Sequence, residues 1–350
     1  MNDLEKESQG SESVPGGEKS FTMKFRAALN DYAIRYAPRR VALIAAAALV
    51  GWTGGWHWIP ELFSHAFFQY AIALLFLTLL LFHARHWRWA ALSLVATILV
   101  WLPIAPSWLP APTVAEAIPP KNRLTLLQFN ALRKTEPLTQ WLASYAKDID
   151  AVLLLEADAH FENVIKTFSA EFPYHIERFS DGAFGIALIS RHPFVKARFL
   201  DDIDSIFPAI DAVLSTPAGP LRLVGIHPPP PTRKIGAQIR DEFLESLAKY
   251  LKPDTPTVVF GDFNATPWSP KLRAFLAQTG LEDAQRGHGT LSTWPAPFAG
   301  YADFLGVPID LTLVSPSLTV ETREAGPNLQ SDHLPVITRI VLPVQGSGIR

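Results

Sequence analysis

The sequence predicts an α/β domain carried behind a helical membrane anchor, and two features of its 350 residues predict it. Charged residues vanish from three early stretches. None lies between Arg40 and Glu61, between Glu61 and Arg85, or between Arg88 and Glu116, so each gap holds at least 20 uncharged positions. From Lys121 onward, by contrast, short apolar runs alternate with amphipathic ones. That alternation is how a chain writes strands covered by helices.

The anchor comes first. A transmembrane helix needs roughly 20 mostly apolar residues, which places spans at 41–58, 66–83 and 89–108, after a cytoplasmic tail of residues 1–40. Trp52, Trp56, Trp58, Trp87, Trp89, Trp101 and Trp108 lie mostly toward the span ends, as interfacial aromatics do. A cleaved signal sequence would start earlier than residue 41. Gly51, Gly54 and Gly55 interrupt the first span. Lys24, Arg26, Arg35, Arg39 and Arg40 precede it, the loop from His57 to Ser64 has no Lys or Arg, and Arg85 and Arg88 sit between the second and third spans. By the positive-inside rule, three crossings leave everything after about residue 109 outside. The expectation is a multi-pass protein of a bacterial inner membrane, with the bilayer as partner and the C-terminal domain in the periplasm. The absence of cysteine suits such a compartment and excludes disulfides, thiolate metal sites and Cys nucleophiles. Residues 109–120 are rich in Pro and Ala and read as a stiff linker.

The domain is expected over 121–343, with a short tail at 344–350. Its strand candidates are short runs rich in Val, Leu and Ile: "RLTLLQFN", "AVLLLEA", "FGIALIS", "LRLVGIH", "TVVFGDFN", "DLTLVS" and "PVITRIVL". Between them "LTQWLASYAK", "HFENVIKTFS" and "IGAQIRDEFLESLAKYL" have helical periodicity.

The ends of these strands carry the chemistry. "TVVFGDFNATP" (257–267) stops in Gly-Asp-Phe-Asn, residues that also close turns, and Asp262 and Asn264 point the same way if the strand continues. Asn130 ends the first strand, Glu156 the second and His227 a later one; Asp310 opens "DLTLVS", and Ser331-Asp332-His333 precedes the last strand. Each has an ordinary structural reading as a turn, a surface charge or a core imidazole. Together they are the groups that bind a hard cation and a phosphate. His160, His175, His192 and His288 read as surface or turn residues, and Trp294 as a packed loop aromatic.

The set "LLQFNA", "VLLLEAD", "GIALISRHPF", "VGIHPPPP", "GDFNATP", "DLTLVS" and "SDHLPV" resembles the endonuclease/exonuclease/phosphatase superfamily over 121–343. The resemblance implies a DNase I-like four-layer α/β sandwich of two packed sheets flanked by helices. It implies hydrolysis of a phosphate ester (nucleic acid, lipid head group or small phosphoester) with Mg²⁺, or Mn²⁺, as cofactor. Glu156 and Asn130 would then hold the metal, with Asp332 on the same side. Asp262 would prepare the water, Asn264 would grip the phosphoryl oxygens, and His333, held by Asp310, would stabilise developing charge. His227 would contact the phosphate or protonate the leaving oxygen. The chain departs from its nuclease members at Leu132, where apurinic endonucleases carry a carboxylate. Residues 117–350 hold 22 basic and 25 acidic groups, too balanced for a duplex-binding stripe. A membrane receptor that binds a phosphorylated ligand in the same cleft without turnover is the alternative. It predicts loss of Glu156, Asp262 or His333, and all three are present. No protein partner is inferable.

Overall fold

The computed structural model describes residues 16–110, 118–204, 206–251 and 254–343. Most of the expected linker, the first residues of the N-terminal tail and the tail at 344–350 lie outside the described residues. Five helices open the chain: α1 (Gly16–Arg35), α2 (Ala37–Trp52), α3 (Trp58–Ser64), α4 (Phe67–His83) and α5 (Trp87–Trp101). All three expected spans contain helix, but their ends differ. α2 stops at Trp52 rather than 58, because the chain turns at Thr53–Trp56. Gly54 is required in that turn: a Cβ there would lie 2.5 Å from Glu61 Cα. In the third span α5 ends at Trp101, short of Pro103, and a 3₁₀ turn over Ala105–Trp108 follows. α4, with 17 residues, is about 25 Å long, against a hydrocarbon core of about 30 Å. Among the described residues no single helix is long and apolar enough to cross a membrane, whereas α3 and α4, bent by 53°, pass that test together.

The domain follows as β1 (Arg123–Asn130), α6 (Thr135–Tyr145), β2 (Ala151–Leu155), α7 (Phe161–Thr167), β3 (Tyr174–Arg178), β4 (Ile186–Ser190), β5 (Phe194–Phe199), β6 (Ile210–Thr216) and β7 (Gly219–Ile226). Then come α8 (Lys234–Tyr250), β8 (Thr257–Asp262), α9 (Pro270–Thr279), β9 (Glu282–Asp283), β10 (Asp310–Val314), β11 (Thr319–Ala325) and β12 (Val336–Val341). They form two six-stranded mixed sheets, ordered β11-β12-β1-β2-β4-β3 and β5-β6-β7-β8-β10-β9.

Successive residues of a strand point to opposite faces, and the central strands are buried on both. Leu124, Leu126, Leu153 and Leu155 of the first sheet meet Leu221, Leu223, Val258 and Phe260 of the second. Their neighbours Leu127, Phe129, Val152 and Leu154 face α6 and α7 through Leu138, Leu142, Phe161 and Val164. On the far side Val224, Ile226, Val259 and Leu311 face α8 and α9 through Phe243, Leu247, Leu272 and Phe275. Helices, sheet, sheet, helices: this is the four-layer sandwich. Burial on two faces is why these strands read as continuous apolar runs rather than alternating ones. Each such side chain contributes about 1.5–3 kcal/mol on burial.

β1 runs parallel to β2, with Asn130 opposite Leu155, and β7 parallel to β8, with Ile226 opposite Gly261. β10 runs antiparallel to β8, so its first residue, Asp310, faces Asp262. The polar strand ends therefore meet at one edge of the sandwich. Gly261 permits the approach of β8 to β7 there. Its φ is +139°, and a Cβ would stand 2.1 Å from the carbonyl oxygen of Ile226. Gly261→Ala is expected to cost at least about 1–3 kcal/mol, read as a lowered melting temperature; a wild-type melting curve would contradict this packing.

Candidate active site

A cleft of about 710 Å³ opens at that edge, lined by Asn130, Glu156, His227, Asp262, Asn264, Asp332 and His333 among others. Seven of the eight sequence-predicted residues thus line one cleft; the eighth, Asp310, lies behind His333 and touches it. The Asp310 carboxylate accepts from His333 Nδ1 at 2.8 Å and from the Thr293 hydroxyl, which fixes the imidazole. His333 then turns Nε2 toward Asp262 Oδ2, 3.7 Å away, while His227 Nε2 is 3.5 Å from the same oxygen.

Asp262 is only 2% exposed, and protein groups replace its water. Asn264 donates its backbone N–H to Oδ1 at 2.8 Å, and Asn130 Nδ2 donates to Oδ2 at 3.2 Å. The turn reading of "GDFN" holds, and the strand does not continue to Asn264. The strand ends at Asp262, the next residues close a turn on its carboxylate, and that turn carries Asn264 to the cleft with a left-handed φ of +49°. One N–H of the Asn264 amide is spent on Pro228 O at 3.0 Å. Glu156 is left-handed too, at φ +54°; strain of this kind concentrates at functional sites. Ser331 ties the last loop to the first strand by donating to Asn130 O at 2.7 Å and accepting from His333 N at 3.1 Å.

The electrostatics divide the cleft. Burial would lower His333, but Asp310 and then Asp262 outweigh it and hold the imidazolium up to about 10. Burial pushes Asp262 up, yet His333 and His227 more than offset this and keep it below the usual carboxylate range. Glu156 goes the other way, raised chiefly by burial and further by Asp332, despite His227 and its 3.3 Å hydrogen bond from Asn130. Asp332 Oδ2 accepts from Trp294 Nε1 at 3.3 Å, whereas its buried Oδ1 has no partner among the described residues. A raised carboxyl beside an unpartnered carboxylate oxygen fits a divalent cation with oxygen ligands. Asp262, Asp310 and His333 also offer three ligand atoms within 4.8 Å of one another, but two of these residues are already joined by the Asp310–His333 hydrogen bond.

Several contributors were not legible beforehand. Leu62 and His65, from the helical N-terminal segment, line the cleft, as do Phe184, Pro230 and Trp294. Trp294 is a wall of the site rather than a packed loop aromatic, and is 38% exposed. Thr293 precedes it in "LSTWPAP", where nothing in the spacing marks a partner for Asp310. His160, His175, His192 and His288 lie outside the cleft, as does Tyr174. Arg191 of "SRHPF" is structural, donating to the carbonyls of Ala146 at 2.7 Å and Ile149 at 2.9 Å.

The family model described as "Endonuclease/Exonuclease/phosphatase family" matches residues 127–333. The chain belongs to that family, and it is a phosphoester hydrolase of the endonuclease/exonuclease/phosphatase type. Among solved structures it is similar to an endonuclease/exonuclease/phosphatase from Beutenbergia cavernae, at 18% identity and a TM-score of 0.53 over 63% of this chain and 72% of that one. It is similar also to a humanized D. rerio TDP2, at 16% identity and a TM-score of 0.50 over 63% of this chain and 99% of that one. No curated protein matches the chain by sequence.

The raised pKa of His333 makes a pH prediction. A folded value of about 10 above an ordinary 6.5 gives stability that is fully present below pH 6.5 and lost as pH rises toward 10. In chelator-containing buffer, Asp310→Asn should flatten that decline relative to the wild type. Parallel curves of unfolding free energy against pH in the two proteins would remove Asp310 as the cause.

Proposed function

We propose that the protein is a membrane-anchored, Mg²⁺-dependent phosphoesterase that hydrolyses a phosphodiester or phosphomonoester by attack of water. One observation carries the hydrolytic reading: Asp262 lies between two imidazoles, in a cleft also lined by Glu156 and by Asp332, whose buried Oδ1 has no partner among the described residues. Glu156, Asn130 and Asp332 would hold the metal, which when bound supplies charge neutralisation at the phosphoryl oxygens. Mg²⁺ or Mn²⁺ suits this oxygen-only donor set better than zinc. Asp262, kept ionised, accepts a hydrogen bond from the attacking water and takes its proton as the water oxygen bonds to phosphorus. The ester P–O bond breaks on the opposite side. His333, held charged by Asp310, steadies the negative charge on the phosphoryl oxygens in the transition state, and His227 gives the leaving oxygen its proton. Asn264 hydrogen-bonds the phosphoryl group with the amide N–H not used by Pro228. The substrate class is a phosphate ester of a nucleic acid, a lipid head group or a small molecule; the balanced charge of the domain argues against duplex binding as the main mode.

Three features support the anchor. Phe76, Leu79, Phe82, Val95 and Ile98 on α4 and α5 are all more than half exposed, an apolar surface that suits lipid. α3 and the Ala105–Trp108 turn both reach the catalytic domain, through an Arg240–Glu61 ion pair and a Gly289 N–H to Ser107 O bond of 2.7 Å. Arg85 and Arg88 lie at the other ends of α4 and α5. This puts the basic turn away from the domain, as positive-inside orientation with a periplasmic head requires. A reporter active only in the periplasm, fused after Arg350, should be active. Signal solely from a cytoplasmic reporter would sink this topology.

The chemistry is tested with bis-p-nitrophenyl phosphate and Mg²⁺ or Mn²⁺. If Asp262 and His333 act mainly in the transition state, folded Asp262→Asn and His333→Ala should each lose turnover by about 10²-fold or more, with much smaller changes in KM. The double variant should lose less than the product of the two, since both groups serve one step. Near-normal turnover in both single variants would refute the mechanism. A parent protein that binds phosphoesters but turns over none would favour the receptor reading.

A further inference from the structure

The helical N-terminal segment does more than precede the catalytic domain. Glu61, at the centre of α3, is fully buried and paired with Arg240 of α8, also fully buried. Arg240 has two further tasks: Nε donates to Asp241 at 3.1 Å, and Nη1 donates to the carbonyl of Asn264 at 3.2 Å. That carbonyl belongs to the left-handed residue whose N–H holds the Asp262 carboxylate. A line of polar contacts thus runs from α3 through Arg240 and Asn264 to Asp262. Four residues along the chain, His65 accepts from the backbone N–H of Thr266 at 3.4 Å and pairs with its hydroxyl at 3.0 Å, both through Nδ1. An imidazole that accepts at Nδ1 carries its proton on Nε2. In His65 that Nε2 has no partner among the described residues, and the residue lines the same cleft as Asp262 and His333. Trp268, two residues beyond Thr266, is buried among the side chains of the N-terminal helices.

We infer that the 58–65 segment is a working wall of the active cleft. Glu61 is a positioning residue that sets the 262–266 turn through Arg240, and His65 presents Nε2–H to the phosphate ester. The inference rests on the hydrolytic reading above, and it adds residues that lie outside the 127–333 span matching the family. A fork of guanidinium nitrogens is what the first role needs, since one nitrogen engages Glu61 while another reaches the Asn264 carbonyl. A buried ion pair is a costly way to join two elements if stability alone is at stake, and apolar replacement of both partners is commonly tolerated.

The test uses the full chain in detergent. Glu61→Leu combined with Arg240→Met should keep the melting temperature near wild type. It should also speed amide exchange at Asn264 and Thr266 and lower kcat on bis-p-nitrophenyl phosphate about 10- to 100-fold. Glu61→Gln, which can still accept the hydrogen bond from Arg240, should restore most of both. His65→Phe should weaken inorganic phosphate binding, and raise KM for the same probe, by about tenfold. If the double replacement does not fold, Arg240→Lys carries the same comparison, because one ammonium cannot serve both partners. Wild-type exchange at Asn264 and Thr266 in the folded variant overturns the positioning role. Unchanged phosphate binding in His65→Phe overturns the contact. Exchange and phosphate binding decide these points even if the wild type fails to turn over the probe, an outcome that would count against the hydrolytic reading instead.

Discussion

A carboxylate removed from water at the seam of two sheets organises this protein. Asp262 is 2% exposed, and an isolated buried carboxylate would protonate rather than remain charged. It stays ionised because donors arrive from both halves of the sandwich. Asn130 comes from the first sheet; the Asn264 N–H and His227 come from the second; His333 comes from the loop that returns the chain to β12. The requirement is geometric before it is chemical. β1 and β2, like β7 and β8, must be parallel, and β10 must run against β8, for these donors to share one edge. Four layers of apolar packing serve to fix that edge.

Burial pushes two carboxylates of one cleft up, and their neighbours decide the outcome in opposite directions. Asp262 faces two imidazoles and is held down; Glu156 faces Asp332 and is pushed up. Carboxylates with environments that drive their pKa values apart divide labour. The lowered one is always available as a hydrogen-bond acceptor for a water. The raised one gains most, as an anion, from positive charge brought to it. The Asp310–His333 pair belongs to the first side, since its hydrogen bond fixes the imidazole and occupies the ligand atoms a metal would want.

How much of this was legible in the sequence follows from what kind of burial each element undergoes. β1, β2, β4, β7, β8, β10 and β12 are central or nearly so, buried on both faces, and appear as unbroken apolar runs within a residue or two of their true ends. β3, β5 and β11 are edge strands or lie beside one face of solvent, and "YHIER", "FVKARF" and "TVETREA" read as polar. In β6 the run is broken by Asp211, whose buried carboxylate is paired with Arg222 at 2.8 Å across the ladder and accepts from the Tyr250 hydroxyl. The site residues were legible because strand ends are fixed points. Leu62 and His65 were not, because nothing local to an apolar segment says which part of a distant domain it will touch.

The junction between the helical N-terminal segment and the domain supplies the last constraint. Gly54 lets the turn after α2 press against the backbone of Glu61, so the carboxylate enters the domain with no freedom left to choose another partner. Arg240 meets it from α8, on the same buried face that packs on β7 and β8 through Phe243 and Leu247. A hydrophobic contact alone would tolerate sliding of one apolar surface over another, whereas a buried charge finds its counter-charge in one register only. Sliding here would move the Asn264 carbonyl, and with it the N–H that holds Asp262. The pair is therefore best understood as a register device: it fixes where the helical segment sits and, through that, where the cleft's central carboxylate points.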